Sequence, residues 1–171
     1  MTAAPSRTTL RRRPNGWLVA VVVVVAVILA PVIGGIAISA QNDAAADAVK
    51  NQLVSMPLPP DTQLVDSYSR AGKLVGNGNG MQYLGAMLIQ SHLPIAELES
   101  YYAQQADTLD ESRTSEYPTT INVRQGDSSQ LQDIRGLSGL LTQSDQSDRF
   151  LVYMWGDAPS WLHEDWDLRG H

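Results

Sequence analysis

Residues 17–40 read WLVAVVVVVAVILAPVIGGIAISA, a run of 24 residues without a charge or an amide, and this stretch decides how the chain is organised. A hydrocarbon core about 30 Å thick needs about 20 apolar residues in a helix, so the run is long enough to cross it. A helix satisfies its backbone polar groups internally, as lipid requires, and Pro31 removes only one of those hydrogen bonds. The sequence therefore predicts a transmembrane helix over residues 17–40.

The flanks of this run predict its orientation. Four arginines precede it, namely Arg7, Arg11, Arg12 and Arg13, and the first acidic residue is Asp43. Because positively charged flanks stay in the cytoplasm, residues 1–16 are predicted to be a cytoplasmic basic tail and residues 41–171 to lie outside. Trp17 occupies a position typical of an aromatic residue at the membrane surface.

A cleaved secretory signal is the competing interpretation of the same run. Residues 37–40 contain small side chains that suit a cleavage site. The apolar region of a signal peptide usually spans about 7–15 residues, and this run is longer. A retained single-pass anchor in the cell membrane is therefore predicted, with cleavage as the open alternative.

The charge of the remaining chain excludes some partners. The four cytoplasmic arginines belong to the 12 basic residues, which leaves eight against 18 acidic ones, a formal net charge of −10. Such a domain repels nucleic acid, so no nucleic-acid partner is predicted. The chain has no cysteine, which excludes disulfides, thiolate metal sites and cysteine nucleophiles.

Residues 41–60 are predicted to connect the span to the outer domain. Within residues 41–56, the apolar residues Val49, Leu53 and Met56 recur at steps of four and three, which indicates a short juxtamembrane helix. The sequence PLPP at 57–60 ends this helix and favours an extended, stiff spacer.

Two β-patterned runs follow the spacer. Residues 62–75 are rich in β-branched and aromatic side chains, with Ala71-Gly72 interpreted as a β-bulge. Residues 81–90 are apolar on both faces, which is typical of a strand in the middle of a sheet. Residues 149–157 share that pattern and predict a second central strand.

Helical and half-buried segments lie between these strands. Residues 91–107 carry apolar side chains at steps of three and four after Pro94, which predicts a helix. Residues 119–125 alternate as a half-buried strand. Residues 128–142 have helical spacing weakened by two glycines, so a strand remains the alternative there. The order predicts an α+β domain, β-β-α-β-(α)-β, over residues 61–171.

The sequence GNGNG at residues 76–80 raises the question of a phosphate-binding loop. A dinucleotide-binding loop of the type G-x-G-x-x-G leads into a helix whose N-terminus receives the phosphate. Here the glycines lead into the β-patterned run 81–90 instead. Asn-Gly between two strands is a strong hairpin signal because both residues tolerate positive φ. A tight turn is therefore predicted, and no cofactor.

The C-terminal residues 160–171, SWLHEDWDLRGH, hold the densest group of candidate ligand-binding side chains: Trp161, Glu164, Asp165, Trp166 and Asp167. Indole rings stack on sugars while carboxylates accept hydrogen bonds from hydroxyls, so a cell-wall sugar or peptide is the candidate ligand. The competing interpretation is a terminal extension pinned to the domain by its apolar residues.

The same segment also offers possible metal ligands. His163-Glu164 begins like the zinc motif H-E-x-x-H, but Asp167 stands where the second histidine belongs. His171 and the neighbouring acids offer ligands without the spacing that a metal site needs. No metal is predicted.

No catalytic motif stands out along the chain. GLSGL at residues 136–140 lacks the G-x-S-x-G pattern of a nucleophile elbow. The favoured hypothesis is a non-enzymatic interaction or accessory module of the bacterial cell envelope that binds a protein partner. An exported ligand-binding domain is the first alternative. A small envelope hydrolase using two carboxylates is the second.

The span itself offers a candidate surface for self-association. Ala26, Ala30 and Gly34 follow one another at steps of four, so they share one face of the helix. Small residues in this pattern let two membrane helices approach closely. A homodimer through the span is therefore a further prediction.

Overall fold

The computed structural model describes residues 16–75, 80–111, 119–125, 147–157, 166, 167 and 169. The chain forms two compact units, Met1–Gly34 and Gly35–His171. The predicted helix over residues 128–142 lies outside the described residues, as do residues 1–15 of the predicted cytoplasmic tail.

Helix α1 extends over Gly16–Val54 and contains Pro31. Two parts of it are distinguished below: the apolar half, residues 16–34, and the domain half, residues 35–54. The apolar half exposes its large side chains, including five consecutive valines at 21–25. None of the most apolar window is buried, and α1 is long and apolar enough to cross a membrane. The prediction of one N-terminal helix of membrane-spanning length is confirmed.

The second unit contains a four-stranded antiparallel sheet and a second helix. The strands are β1 (Thr62–Gly72), β2 (Gln82–Ser91), β3 (Ile121–Gln125) and β4 (Arg149–Gly156), in the order β1-β2-β4-β3. Every neighbouring pair is antiparallel. Helix α2 (Ile95–Glu111) connects β2 to β3. The α+β class is confirmed.

The two strands that are apolar on both faces occupy the middle of the sheet. Strand β2 lies between β1 and β4, and β4 lies between β2 and β3. On β2, Tyr83, Met87 and Ile89 belong to one buried cluster and Leu84, Ala86 and Leu88 to another. Alternate side chains of a strand point to opposite faces, so this division follows directly from the sequence.

Two helices cover the first of these faces. The domain half of α1 and the residues just after it contribute Ala46, Val49, Leu53 and Met56 to the core. Helix α2 contributes Leu98, Tyr102 and Ala106. The compact unit that contains the sheet therefore starts within α1, at Gly35, and includes the segment that the sequence suggested as a connection to the membrane.

Close contact between α1 and the sheet depends on glycine. A methyl group built on Gly85 of β2 would lie 2.5 Å from the amide nitrogen of Lys50 and 2.8 Å from its Cα. A methyl group on Gly156 of β4 would collide with the side chain of Val49. The backbone of α1 rests on the sheet at Gly85 because that residue has no side chain.

The bulge predicted at Ala71-Gly72 is wrong. Ala71 and Gly72 pair regularly with Tyr83 and Gln82, and the irregularity in β1 lies between Leu64 and Asp66. Gly72 is instead the last residue of β1, and its φ of +153° favours glycine. The next residue, Lys73, is not part of the strand. The sequence alone does not distinguish a glycine at the end of a strand from one at a bulge.

The interpretation of residues 76–80 as a turn agrees with the strands on either side. Strands β1 and β2 pair antiparallel, and β2, rather than a helix, follows the glycines. Residues 76–79 themselves lie outside the described residues. A phosphate-binding loop that opens a helix is therefore excluded at this position.

Candidate functional site at the domain half of helix α1

A buried amide in α1 organises the most connected polar group of the described chain. Asn42 lies four residues before Ala46, on the face of α1 that packs against the sheet, and its side chain is fully buried. Its Nδ2 donates a hydrogen bond of 2.8 Å to Oδ2 of Asp167. Its Oδ1 accepts one of 2.9 Å from the hydroxyl of Tyr83 on β2. One helical side chain thus joins the sheet to the C-terminal segment.

Arg169 fastens the same segment to the helix from a second direction. Its guanidinium donates to both carboxylate oxygens of Asp167, at 2.7 to 3.2 Å. It also donates to Oδ1 of Asp43 at 2.7 Å and to the carbonyl oxygen of Ser39 at 3.0 Å. We refer to Ser39, Asn42, Asp43, Tyr83, Asp167 and Arg169 as the polar cluster.

The backbone of Arg169 completes the attachment. Its amide donates to Oδ1 of Asp167 at 3.1 Å, and its carbonyl accepts from the amide of Lys73 at 2.9 Å, just after β1. The C-terminal segment is therefore held by the helix on one side and by the end of β1 on the other. Five hydrogen bonds end on the Asp167 carboxylate.

The electrostatics of the polar cluster keep Asp167 ionised. Burial by itself would raise the pKa of this carboxyl, but hydrogen bonds from Arg169 and Asn42 outweigh it and hold the pKa below its usual range. The hydrogen bonds to Asp167 also raise the pKa of the Arg169 guanidinium. A general base works best with a pKa near the operating pH, so Asp167 is suited to structure and not to proton transfer.

The two candidate ligand-binding residues that the structure describes are placed very differently from one another. Asp167 is 1% exposed, and both its oxygens accept hydrogen bonds within the chain. Trp166, its neighbour, is 61% exposed. Trp161, Glu164 and Asp165 lie outside the described residues. The structure therefore shows a carboxylate turned inward next to an indole turned outward.

Asp167 is the one residue of the polar cluster that the sequence predicts as part of a site, and Asn42 and Arg169 are the two others whose role could have been inferred from the sequence. The role of Asn42 is indicated by its position on the apolar stripe of Val49 and Leu53, because a buried amide there needs a hydrogen-bond partner. Arg169 has a weaker signal, as the only lysine or arginine after Arg149. Neither signal names the partner, because Asn42 and Asp167 are 125 residues apart.

A separate shallow pocket opens at the end of the β1–β2 hairpin. It has a volume of about 370 Å³, and its described lining is Val75, Met81, Gln82, Trp155 and Gly156. The amide of Gln82 is already engaged: Oε1 accepts from the amides of Leu74 and Val75 at 2.8 Å, and Nε2 donates to the carbonyl of Val75. The pocket thus offers mainly apolar contacts.

The candidate self-association residues lie on the exposed apolar half of α1. Ala26 and Ala30 line a shallow apolar depression of about 510 Å³. Gly34 follows one turn later, with open space around it: a methyl group built there would meet nothing within 4 Å. Self-association through these residues stays a prediction.

No group of three or more histidine or acidic side chains is arranged to hold a metal ion among the residues that the structure describes. Comparison of the chain with protein-family models, with curated protein sequences and with solved structures finds no match.

Proposed function

We propose that this chain is a single-pass membrane protein whose N-terminus is cytoplasmic and whose domain faces outward in a bacterial cell envelope. We further propose that the domain acts by binding a protein partner, without catalysis. The observation that carries the proposal is the use of one helix for two purposes. Helix α1 has an exposed, charge-free half and a half that supplies Ala46, Val49 and Leu53 to the domain core.

The exposure of the apolar half favours a membrane-spanning helix and not a helix of a water-soluble domain. An apolar helix of a water-soluble domain is normally buried, because exposed apolar surface is costly in water. Here the most apolar window is entirely unburied. Lipid is the surrounding that suits such a helix, and the N-terminal arginines favour a cytoplasmic tail.

The polar cluster supports retention of the span after export. Signal cleavage after Ala40 would remove Ser39, whose carbonyl accepts a hydrogen bond from Arg169. It would also cut α1 two residues before the buried Asn42. An uncleaved α1 keeps both contacts, so the anchor is favoured over the signal peptide.

The chemistry of the described residues supports binding. The buried carboxylate of Asp167 is ionised and saturated with hydrogen bonds, and the described lining of the hairpin pocket carries no ionisable group. The exposed apolar side chains Leu64 and Val65 lie on β1, at one edge of the described sheet, where its ladder is irregular. An edge with exposed apolar residues is a typical place for a protein partner.

Binding of a small ligand is the second candidate function. The hairpin pocket favours it, since the indole of Trp155 lines a concave apolar surface there. Trp161, Trp166, Glu164 and Asp165 remain the candidates for a wall sugar or peptide, whereas the Asp167 carboxylate is buried and bonded within the chain. A hydrolase built on the acids of this segment is the remaining alternative.

Topology can be tested in a chain that contains no cysteine. Thr8→Cys and Ala103→Cys place single thiols in the tail and on the exposed side of α2. We expect a membrane-impermeant maleimide to label the second variant in intact spheroplasts and the first only after permeabilisation. The reverse pattern would refute the orientation, and mature protein beginning near Gln41 would refute the retained anchor.

Binding and catalysis can be separated on the full chain in nanodiscs. We expect no hydrolysis of cell-wall fragments, with or without divalent metal. Turnover that disappears in Glu164→Gln or Asp165→Asn would overturn the proposal in favour of the hydrolase.

The partner surface needs a test in the native membrane. A photo-crosslinking residue at Val65 should give a discrete adduct in intact cells, and Leu64→Asp should abolish it. The same residue at Ala103 serves as the matched exposed control. Equal adducts from both positions would show that β1 is not the partner surface.

Self-association through the span is tested by Gly34→Ile, because a bulky side chain separates helices that approach through small residues. We expect a weaker signal in a membrane two-hybrid assay, and an unchanged signal would remove the homodimer from the proposal. Val24→Ile, on an already bulky residue, is the control.

A further inference from the structure

Trp166 is a large exposed side chain close to two described residues, Asp167 and Arg169, that are held by several hydrogen bonds. Its side chain is 61% exposed, while the adjacent Asp167 is buried and Arg169 makes contacts in three directions. Asp167, the next residue, is bonded to α1, and Arg169, three residues after Trp166, is bonded to α1 and to the residue after β1. The position of the indole along the helix is therefore set by the polar cluster.

That position coincides with the end of the apolar stretch. Arg169 donates to the carbonyl of Ser39, and Asp167 accepts from Asn42. Ser39 and Ala40 are the last residues of the charge-free run. One turn of helix rises about 5.4 Å, so the segment carrying Trp166 is attached within about one turn of the point where polar sequence begins.

The apolar stretch has no aromatic residue of its own at this end. Trp17 lies at its start, but residues 35–43 read GIAISAQND, and the next aromatic after Trp17 is Tyr68. Membrane proteins place tryptophan and tyrosine at both membrane–water interfaces, where an apolar ring with a polar N–H suits the headgroup region.

We infer that Trp166 inserts its indole into the headgroup region of the leaflet that faces the domain, as the counterpart of Trp17 at the other leaflet. This inference depends on the proposed transmembrane role of α1. The ring contacts the upper acyl chains, and Nε1–H donates to lipid ester or phosphate oxygens. The domain thereby touches the bilayer through a residue 126 positions beyond the apolar stretch.

The charges around Trp166 indicate what kind of lipid contact this is. Arg169 is paired with both Asp167 and Asp43, so the polar cluster has a formal net charge of −1. Such a group does not attract anionic headgroups. The contact is therefore carried by the indole and not by charge, so anionic lipid should not strengthen insertion.

The absence of cysteine allows a direct measurement of depth. Single spin labels at Trp166→Cys, Ser100→Cys and Val25→Cys are introduced into the full chain in phosphatidylcholine nanodiscs. Accessibility to oxygen, which concentrates in lipid, is compared with accessibility to a water-soluble nickel chelate.

The two control positions define the range of membrane depths with which the label at position 166 is compared. Val25 lies in the apolar half of α1. Ser100 precedes Tyr101, whose hydroxyl donates to the carbonyl of Pro57 beyond the end of α1. From Ser39 to Val54 the helix rises about 20 Å, so Ser100 lies near its opposite end. We expect Val25 to be deep in lipid, Ser100 to be aqueous and Trp166 to lie between them.

Each outcome decides one proposal. A label at 166 as aqueous as the label at 100, with Val25 deep in lipid, overturns the inference and leaves the proposed span intact. An aqueous Val25 overturns the span itself. Shielding of position 166 in native membranes but not in nanodiscs would identify a protein contact and also overturn the inference.

A second measurement keeps the native side chain. A variant with Trp17, Trp155 and Trp161 replaced by phenylalanine has Trp166 as its only indole. We expect its fluorescence to be quenched by zwitterionic lipids brominated near the headgroup, and no more strongly when about a third of the lipid is phosphatidylglycerol. Quenching that appears only with the anionic lipid, or no quenching, contradicts the inference.

Discussion

The apolar half of helix α1 exposes valine on every side, whereas the domain half buries about one residue in each turn. Residues 21–25 are five exposed valines in succession, and Asn42, Ala46, Val49 and Leu53 are the buried residues of the domain half. A side chain is buried by its periodic position relative to the sheet and not by its hydrophobicity alone. A helix that is apolar on all sides suits a surrounding that is apolar on all sides, such as lipid. A helix with one apolar stripe suits packing against a single partner, here the sheet.

The largest difference in stability between variants of the two halves is expected at Leu53. Leu53→Ala removes a fully buried side chain from the core and should lower the free energy of unfolding of the domain by about 2–5 kcal/mol. Val24→Ala, in the apolar half, should leave that free energy unchanged. Urea unfolding of the full chain in nanodiscs, followed by near-ultraviolet circular dichroism, measures both. Equal losses would mean that the domain half does not belong to the cooperative core.

The same contrast holds for glycine. Gly85→Ala forces a methyl group against the backbone of Lys50, so we expect a loss of about 3 kcal/mol, near the upper end of typical overpacking costs. Gly35→Ala places its methyl group in open space within a helix and should cost nothing, since alanine favours helix. A Gly85→Ala variant as stable as the Gly35→Ala variant would show that α1 does not rest directly on β2.

The polar cluster predicts a dependence on pH. The folded-state pKa of Asp167 is lowered, so its contribution to stability is complete above about pH 4, near the unfolded carboxyl value, and declines as the pH falls toward the folded value. Asp167→Asn should cost about 2 kcal/mol at pH 7 and reduce the loss of stability between pH 5 and pH 3.

Asp43→Asn is the matched control, because Asp43 bonds the same arginine from an exposed position. An exposed ion pair contributes little, so we expect a change of less than about 1 kcal/mol. If Asp43→Asn reduced the loss of stability in acid as much as Asp167→Asn does, burial of the Asp167 carboxylate would not be the cause of that loss.

The smallest expected changes in stability concern two buried tyrosines, which differ in their hydrogen bonding. The hydroxyl of Tyr83 donates to Asn42, so Tyr83→Phe should destabilise the domain by about 1 kcal/mol. The hydroxyl of Tyr102 is buried and has no hydrogen-bond partner among the described residues, so Tyr102→Phe should be neutral or stabilising. Thermal unfolding of the two variants compares them, and a larger loss for Tyr102→Phe would contradict this assignment.

Much of the fold was predictable because it depends on neighbouring residues. The length of residues 17–40 predicts the apolar helix, and apolar residues on both faces of β2 and β4 predict their central places in the sheet. The stripe of Val49 and Leu53 indicated a helix but not its partner. Those residues face the sheet because Gly85 and Gly156 admit the helix, and that match is visible only in the folded chain.

The sequence by itself determined the long apolar helix, the α+β pattern and the central places of β2 and β4, since periodicity acts over a few residues. The tertiary structure alone decided that Asp167 pairs with Asn42 and that Arg169 reaches Ser39, 130 positions away. Hydrogen bonding constrains such groups to find partners when buried but does not say which ones. The topology makes that choice, and with it sets the exposed Trp166 beside the end of the apolar stretch.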